Sequence, residues 1–346
     1  MEYAAKKTPA SVFIYIAVIV SVFVLILVPF LRKKNRENVT YSKALMGTIV
    51  EITIAGGDAK TSEGASVAAV EEIKRLEGIF SSYKKDSEVS RVSANAGAAP
   101  VKVSPEVMEV VEAALRVSKL SGGAFDPTVG SLARVWGFSG EVELAPDKKD
   151  VKKILPLVNY RLITIDAKAS AVGLKKKGMV LNLGGIAKGY IVGKAIEALK
   201  RNNVRRGIIK AGGDMTVFDV AADEKKAPFI VGIQDPRDSK KLIGEVHIAN
   251  GAVATSGDYE RFFEKDGMRF HHILDPGSGY PAMKSRSVTV ITSDPTLADG
   301  LSTAVFVMGP EKGMELIERL DGVEAVIVDK DGRVLTSKGF KGRIFD

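Results

Sequence analysis

Val180-Leu181-Asn182-Leu183-Gly184-Gly185-Ile186-Ala187-Lys188-Gly189-Tyr190 is an apolar run that stops at a glycine pair, after which a helical pattern begins at once. That order predicts a strand, a tight turn and a helix N-terminus. Unpaired backbone N–H groups and the positive end of the helix dipole can receive a phosphate there. Glycines also serve turns that only pack, so the segment alone supports both readings.

Working outward, residues 46–55 alternate, with Val50, Ile52 and Ile54 on one face and Glu51 and Thr53 on the other, as in a half-buried strand. Val67, Val70, Ile73 and Leu76 recur at helical spacing. Ser104 as N-cap and Pro105 at the first helical position announce a second helix, whose apolar face includes Met108, Val111 and Leu115. Residues 325–328 and 333–336 flank Asp331-Gly332, a hairpin signal. Helices and short strands mix without a regular period or an internal repeat, so the class is α+β, mixed sheets with packed helices.

The 346 residues, 45% apolar and 27% charged, suit a globular protein with a sizeable core. Residues 1–10 form a flank, 11–31 a transmembrane signal anchor, 32–44 a basic, polar linker, and 45–346 one folded domain. The anchor is read from the nearly unbroken apolar run from Ser11 to Phe30, about the 20 residues a helix needs to cross a bilayer. No small-residue cleavage site follows it, so it is expected to stay uncleaved. Lys6 and Lys7 precede the span while Arg32, Lys33, Lys34 and Arg36 follow it, a bias that leans toward a cytoplasmic C-terminal domain. The net charge of +8 is otherwise thinly spread, and Lys175-Lys176-Lys177 carries no interleaved aromatics, so it reads as solvated surface and no nucleic-acid partner is expected. The chain has no cysteine, which excludes disulfides, thiol nucleophiles and thiolate metal sites. Its three histidines, His247, His271 and His272, make a multi-histidine zinc site a poor expectation.

Four stretches use glycine, proline, aspartate and histidine where a plain core would not need them. The first is Gly122-Gly123-Ala124-Phe125-Asp126-Pro127-Thr128 with Trp136-Gly137-Phe138 close behind, which also reads as a structured turn. The second is the glycine turn. The third runs from Ala254-Thr255-Ser256-Gly257-Asp258-Tyr259 to His271-His272-Ile273-Leu274-Asp275-Pro276 and ends at Gly279-Tyr280-Pro281. The fourth is Leu297-Ala298-Asp299-Gly300-Leu301-Ser302-Thr303, entering an apolar helix. Asp299 and Thr303 lie four apart, so a helix puts both oxygens on one face, a hard-oxygen pair suited to magnesium beside a phosphate. The plainer alternative is a helix acid favoured by the dipole, with a threonine bonded back to a carbonyl.

Taken in order, these stretches resemble the ApbE-type FAD:protein FMN transferases, or flavin transferases, over roughly residues 46–309. The matching residues are Met46-Gly47-Thr48, Tyr83, Asp86-Ser87-Glu88 and Ser90-Arg91, Gly123 through Gly130, Leu183 through Tyr190, Ala211-Gly212-Gly213-Asp214, Ala254 through Tyr259, His272 through Pro276, and Ala298-Asp299 with Thr303. The resemblance implies an ApbE-like fold related to the T-fold. It also implies a Mg2+-dependent enzyme that binds FAD, breaks its pyrophosphate, and transfers FMN to a threonine or serine hydroxyl of an acceptor protein with release of AMP. By the same resemblance Asp299, Thr303 and the Gly185 carbonyl hold the metal, and Met46, Ala124, Phe125, Asp126 and Ile273 line the FAD site. Lys188, in the first turn after the glycine pair, is placed to add positive charge near the pyrophosphate, with a solvated lysine as the alternative. His272 is the candidate to accept the acceptor hydroxyl's proton or steady a phosphate, since a histidine titrates near neutrality.

Asn182 departs from the pattern, because the family commonly has an aspartate there, contacting the adenine side of FAD. Asparagine keeps an acceptor oxygen, gains donors and loses the charge. The implied acceptors are subunits of membrane redox complexes, such as sodium-translocating NADH:quinone reductases or Rnf-type complexes, or extracytoplasmic flavoproteins. Exported members of the family work outside the cytoplasmic membrane, so the catalytic domain is expected there, against the charge bias after the span. An Mg2+-dependent FAD pyrophosphatase would use the same residues, and a membrane-tethered flavin-binding protein without turnover would not need Asp299 and Thr303.

Overall fold

The computed structural model describes residues 38–138, 145–220, 227–265 and 267–345. The expected anchor at 11–31 lies outside them, and among the described residues no helix is long and apolar enough to cross a membrane. Eight strands form the main sheet: β1 (Val39–Leu45), β2 (Thr48–Ile54), β3 (Arg206–Ala211), β4 (Asp214–Asp219), β5 (Gly251–Gly257), β6 (Ser285–Thr292), β7 (Glu324–Asp329) and β8 (Val334–Thr336). Their order across the sheet is their order along the chain, and every neighbouring pair is antiparallel. The sheets expected to be mixed are thus antiparallel, because each strand returns beside its predecessor through a turn or an excursion on the same edge.

Helices α1 (Ala59–Phe80), α2 (Pro105–Leu120), α3 (Ala187–Arg201) and α4 (Pro295–Met308) share one core with the sheet. Val50, Ile52 and Ile54 of β2 enter that core as their alternation predicted, joined by Ile209, Val288, Val290 and Ile327. Against the other face, Val217 and Val253 meet Val231, Val246 and Ile248 of a three-stranded sheet made from Phe229–Gln234, Leu242–Ile248 and Gly342–Ile344. A third cluster, Leu132, Trp136, Val151 and Leu274, forms a small lobe beside these layers.

The helix starts follow the sequence closely. Ser104 Oγ accepts from the Val107 N–H at 3.4 Å with Pro105 in the first turn, and Val111 is buried while Met108 and Leu115 pack against the core. In α1, Ile73 and Leu76 reach the core but Val67 is 55% exposed. The first turns bury Ser62, Ala65, Ser66 and Ala69 instead. The C-terminal hairpin forms as expected from β7 and β8.

Two expectations change. Residues 39–44, taken as the end of the linker, form β1 together with Leu45, paired from Val39 opposite Ile54 to Leu45 opposite Thr48. The ladder is made by the backbone, so polar side chains do not prevent it, and on an edge strand they blunt pairing with other chains. The apolar residues before the glycine pair do not form a strand, only an isolated bridge between Val180 and Val129. Their backbone N–H groups are satisfied singly: Val180 donates to Ser131 Oγ at 3.0 Å, Leu181 to Ser93 Oγ at 3.0 Å and Asn182 to the Pro127 carbonyl at 2.7 Å. Scattered partners meet the same obligation a ladder would.

Helix α3 crosses α4 at backbone contact, since a Cβ on Gly189 would overlap the Pro295 carbonyl oxygen. Gly189→Ala is therefore expected to cost roughly 2–3 kcal/mol of stability through overpacking, measured as a lower urea midpoint with an unchanged slope. An unchanged midpoint would show that the two helices separate freely.

Candidate functional site

A cleft of about 540 Å³ opens at one end of the main sheet. Met46, Ala124, Phe125, Asp126, Asn182, Gly185, Lys188, His272, Ile273, Asp299 and Thr303 all line it. Residues from five separate stretches of sequence thus meet in one hollow.

The β1–β2 turn supplies Met46 and Gly47, with φ of 53° and 70°. A two-residue hairpin turn of this hand needs positive φ at both positions, and a methionine there is under backbone strain. The glycine pair has another cause. Neither Gly184 nor Gly185 has positive φ. A Cβ on Gly185 would sit 3.0 Å from Thr303 Oγ1 and 3.3 Å from the Phe125 ring, so the residue is small to let the turn lie against α4.

Asp299 is 3% exposed, and its Oδ2 accepts from the Gly189 N–H at 2.9 Å. The α3 N-terminus, expected to present free N–H groups to a phosphate, thus gives one of them to a protein carboxylate. Asp299 does not lie in the first turn of its own helix, whose N-cap is Asp294, but it caps α3 from outside. Burial pushes the Asp299 carboxyl well above the ordinary carboxylate range, and the nearby Asp214 carboxylate adds to the push. Lys188 and the N–H groups of Lys188 and Gly189 oppose it.

Lys188 Nζ lies 2.7 Å from Asp214 Oδ2. Burial works to lower its pKa, but Asp214 and then Asp299 outweigh burial and hold the ammonium charged. Lys188 is thus ion-paired at the cleft rather than a freely solvated surface lysine, with a third of its side chain still reaching solvent. Thr303 Oγ1 is 3.2 Å from Ser256 Oγ. Asp299, Thr303 and Gly185 all line the cleft, and a carboxylate, a hydroxyl and a main-chain carbonyl are hard oxygen donors. Among the described residues no three His, Cys, Asp or Glu side chains cluster to hold a metal. A cation here would take a carboxylate, a hydroxyl and a main-chain oxygen and keep several waters, as magnesium does. Two buried carboxyl groups, Asp299 and Asp214, stand beside the single Lys188 ammonium, and a cation bound here would supply the charge that favours ionisation of both.

His272 Nδ1 lies 3.2 Å from the Arg261 carbonyl. A proton on Nδ1 donates there and leaves the Nε2 lone pair open. Burial lowers its pKa to about 4, so it is neutral near pH 7 and does not serve as a standing phosphate-binding cation. His271 is packed away, its Nε2 2.8 Å from the Ala282 carbonyl. Asp126 has both oxygens engaged, one in its own loop and one by a distant turn: Oδ1 accepts from Thr128 N–H at 2.8 Å and Thr128 Oγ1 at 2.6 Å, Oδ2 from Tyr160 N–H at 2.8 Å. It shapes the cleft without presenting a free carboxylate. Asn182 Oδ1 accepts from the Gly184 N–H at 2.8 Å, fixing the glycine turn. An aspartate would accept the same bond, so the asparagine keeps the turn and removes a charge.

Sequence reasoning gave no role to Asp214 or Ser256. Asp214 was visible as an acid directly after Gly212-Gly213, but its pairing with Lys188 depends on β4 lying beside α3. Ser256 sits on a strand and meets α4 only in three dimensions.

The family model described as the ApbE family matches residues 46–327. The Treponema pallidum protein named FAD:protein FMN transferase is 33% identical over 332 residues, covering 90% of this chain and 90% of that protein. The Klebsiella pneumoniae protein of the same name is 33% identical and covers 86% of this chain and 91% of its own length. Among solved structures, the ApbE protein of Thermotoga maritima superposes with a TM-score of 0.81 at 34% identity, covering 88% of this chain and 99% of that one. The flavin transferase ApbE of Vibrio cholerae gives a TM-score of 0.78 at 28% identity, covering 88% and 98%.

The depressed His272 pKa carries a stability consequence. An unfolded histidine binds its proton at about 6.5 and the folded one only near 4, so between these values the unfolded state holds more protons and stability falls as pH falls. Relative to His272→Gln, the wild type should lose unfolding free energy between pH 7 and pH 5, measured by urea titration at each pH. Parallel pH curves for the two proteins would contradict the burial of this imidazole.

Proposed function

The chain belongs to the ApbE family, and from that premise we propose that it is a Mg2+-dependent FAD:protein FMN transferase that moves FMN from FAD to a threonine or serine hydroxyl of an acceptor flavoprotein. The observation that carries this reading is the convergence of Asp299, Thr303, Gly185 and Lys188 on one wall of a cleft roomy enough for a dinucleotide. In the reaction the acceptor oxygen forms a bond to the FMN phosphorus, the pyrophosphate bridge bond breaks, and AMP leaves.

Magnesium, when bound, neutralises charge on the diphosphate oxygens. Asp299, Thr303 and the Gly185 carbonyl would hold it. Lys188, kept charged by Asp214, supports the same oxygens from the side. His272 receives the hydroxyl proton on Nε2, and the approach of an anionic diphosphate raises its proton affinity from the low value burial sets. Met46, Phe125 and Ile273 supply apolar surface for the flavin, with Ala124 and the Asp126 loop shaping the same wall.

The natural acceptor we propose is a subunit of a sodium-translocating NADH:quinone reductase or Rnf-type complex, or an extracytoplasmic flavoprotein. The apolar run at residues 11–30 supports a single-pass anchor in the cytoplasmic membrane. We place the catalytic domain on the extracytoplasmic side, where such acceptors expose their flavin sites.

Incubation with FAD, Mg2+ and a candidate acceptor subunit should give flavin fluorescence on the acceptor band in a denaturing gel, with stoichiometric AMP. Free FMN with an unlabelled acceptor would mean hydrolysis, and unchanged FAD would mean binding without turnover. Asp299→Ala should lower transfer on the order of a thousandfold and also lower the melting temperature by leaving the Gly189 N–H without its acceptor. Asp299→Asn, which keeps that acceptor and loses the charge, should lower transfer with the melting temperature nearly kept; near-normal transfer in both variants would remove the cation site.

A further inference from the structure

The hydroxyl groups behind Thr303 form a chain whose direction is fixed. Ser302, 1% exposed, has its Oγ 2.8 Å from the Asp299 backbone carbonyl, and a carbonyl only accepts, so the single Ser302 proton is committed there. Ser256 Oγ is 2.9 Å from Ser302 Oγ, so its proton must go to Ser302. Thr303 Oγ1 is 3.2 Å from Ser256 Oγ, whose proton is now spent, so Thr303 must be the donor of that bond. Each hydroxyl has one proton and two lone pairs, so fixing the first fixes the rest.

We infer that Ser256 and Ser302 are positioning residues that commit the Thr303 proton to Ser256, a neighbour on the cleft lining, leaving the Thr303 Oγ1 lone pairs for the cation. The inference rests on the cation site proposed above. A helical threonine commonly turns its proton onto the carbonyl four residues earlier. Here that carbonyl belongs to Asp299 and takes the Ser302 proton instead. The relay leaves Thr303 Oγ1 unencumbered toward Gly185, where a Cβ on the glycine would lie only 3.0 Å away. A hydroxyl that presents lone pairs is a cation ligand, and one that presents its proton is not. Partners one step behind a ligand commonly govern affinity in this way.

Titration of the full-length chain with Mn2+ in the absence of FAD, with free Mn2+ read by electron paramagnetic resonance, tests the relay without turnover. Ser256→Ala should weaken Mn2+ binding about tenfold, and Ser256→Thr, which keeps the oxygen, should restore it. Ser302→Ala frees the Ser256 proton to turn onto Thr303 and should weaken Mn2+ comparably, although Ser302 itself does not face the cation. Wild-type affinity in both alanine variants overturns the relay and leaves the cation site standing. Failure of the wild type to bind Mn2+ removes the site and the relay together.

Discussion

The hydrogen bond from the Gly189 N–H to Asp299 is the interaction on which the rest of the site depends. A carboxylate this deeply buried needs a partner for its charge, and the start of α3 offers both a donor and the favourable end of a dipole. The bond forms only because α3 and α4 touch backbone to backbone, with glycine at 189 and Pro295 opposite. Once that crossing is fixed, Thr303 stands one helical turn beyond Asp299, Lys188 stands one residue before Gly189, and the glycine turn is pressed against Thr303. Three of the four groups credited with phosphate and cation chemistry are thus consequences of one helix–helix contact.

The antiparallel sheet brings the remaining parts to the same end. The β1–β2 turn delivers Met46, the β3–β4 turn delivers Asp214, and the last residues of β5 deliver Ser256. Turns at one end of a meander are neighbours by construction, which explains how Met46, Gly213 and Ser256, so far apart in sequence, share one hollow, with Asp214 beside it paired to Lys188. The helical layer covers one face and the three-stranded sheet the other, so the sheet is buried on both faces at its centre. A rigid support of this kind holds loops accurately enough for chemistry.

Much of this was legible in the residues. The Ser104-Pro105 start, the β2 alternation and the Asp331-Gly332 hairpin rest on local rules and appear as read. That Asp299 and Thr303 share one face of a helix follows from their spacing and needs no tertiary knowledge, and both line the cleft from α4. What was not legible depends on partners far off in sequence. The segment before Gly184 looks like a strand because it is apolar and extended, yet whether a ladder forms is decided by what lies alongside, and there Ser131, Ser93 and Pro127 lie alongside. Residues 39–44 look like a linker because their side chains are polar, yet an edge strand is held by its backbone. Asp126 looked like a ligand, and only the positions of Thr128 and Tyr160 reveal that its oxygens are already engaged.

Strand β1 also sets a distance. Its first residue, Val39, pairs at the end of β2 remote from the cleft, while the turn after Leu45 carries Met46 into the cleft wall. Seven residues rising about 3.3 Å each separate the two ends by roughly 20 Å. The described chain therefore begins at the end of the sheet away from the cleft. A pull applied at Val39 along the strand would load the hydrogen bonds between β1 and β2 together rather than peeling them one by one.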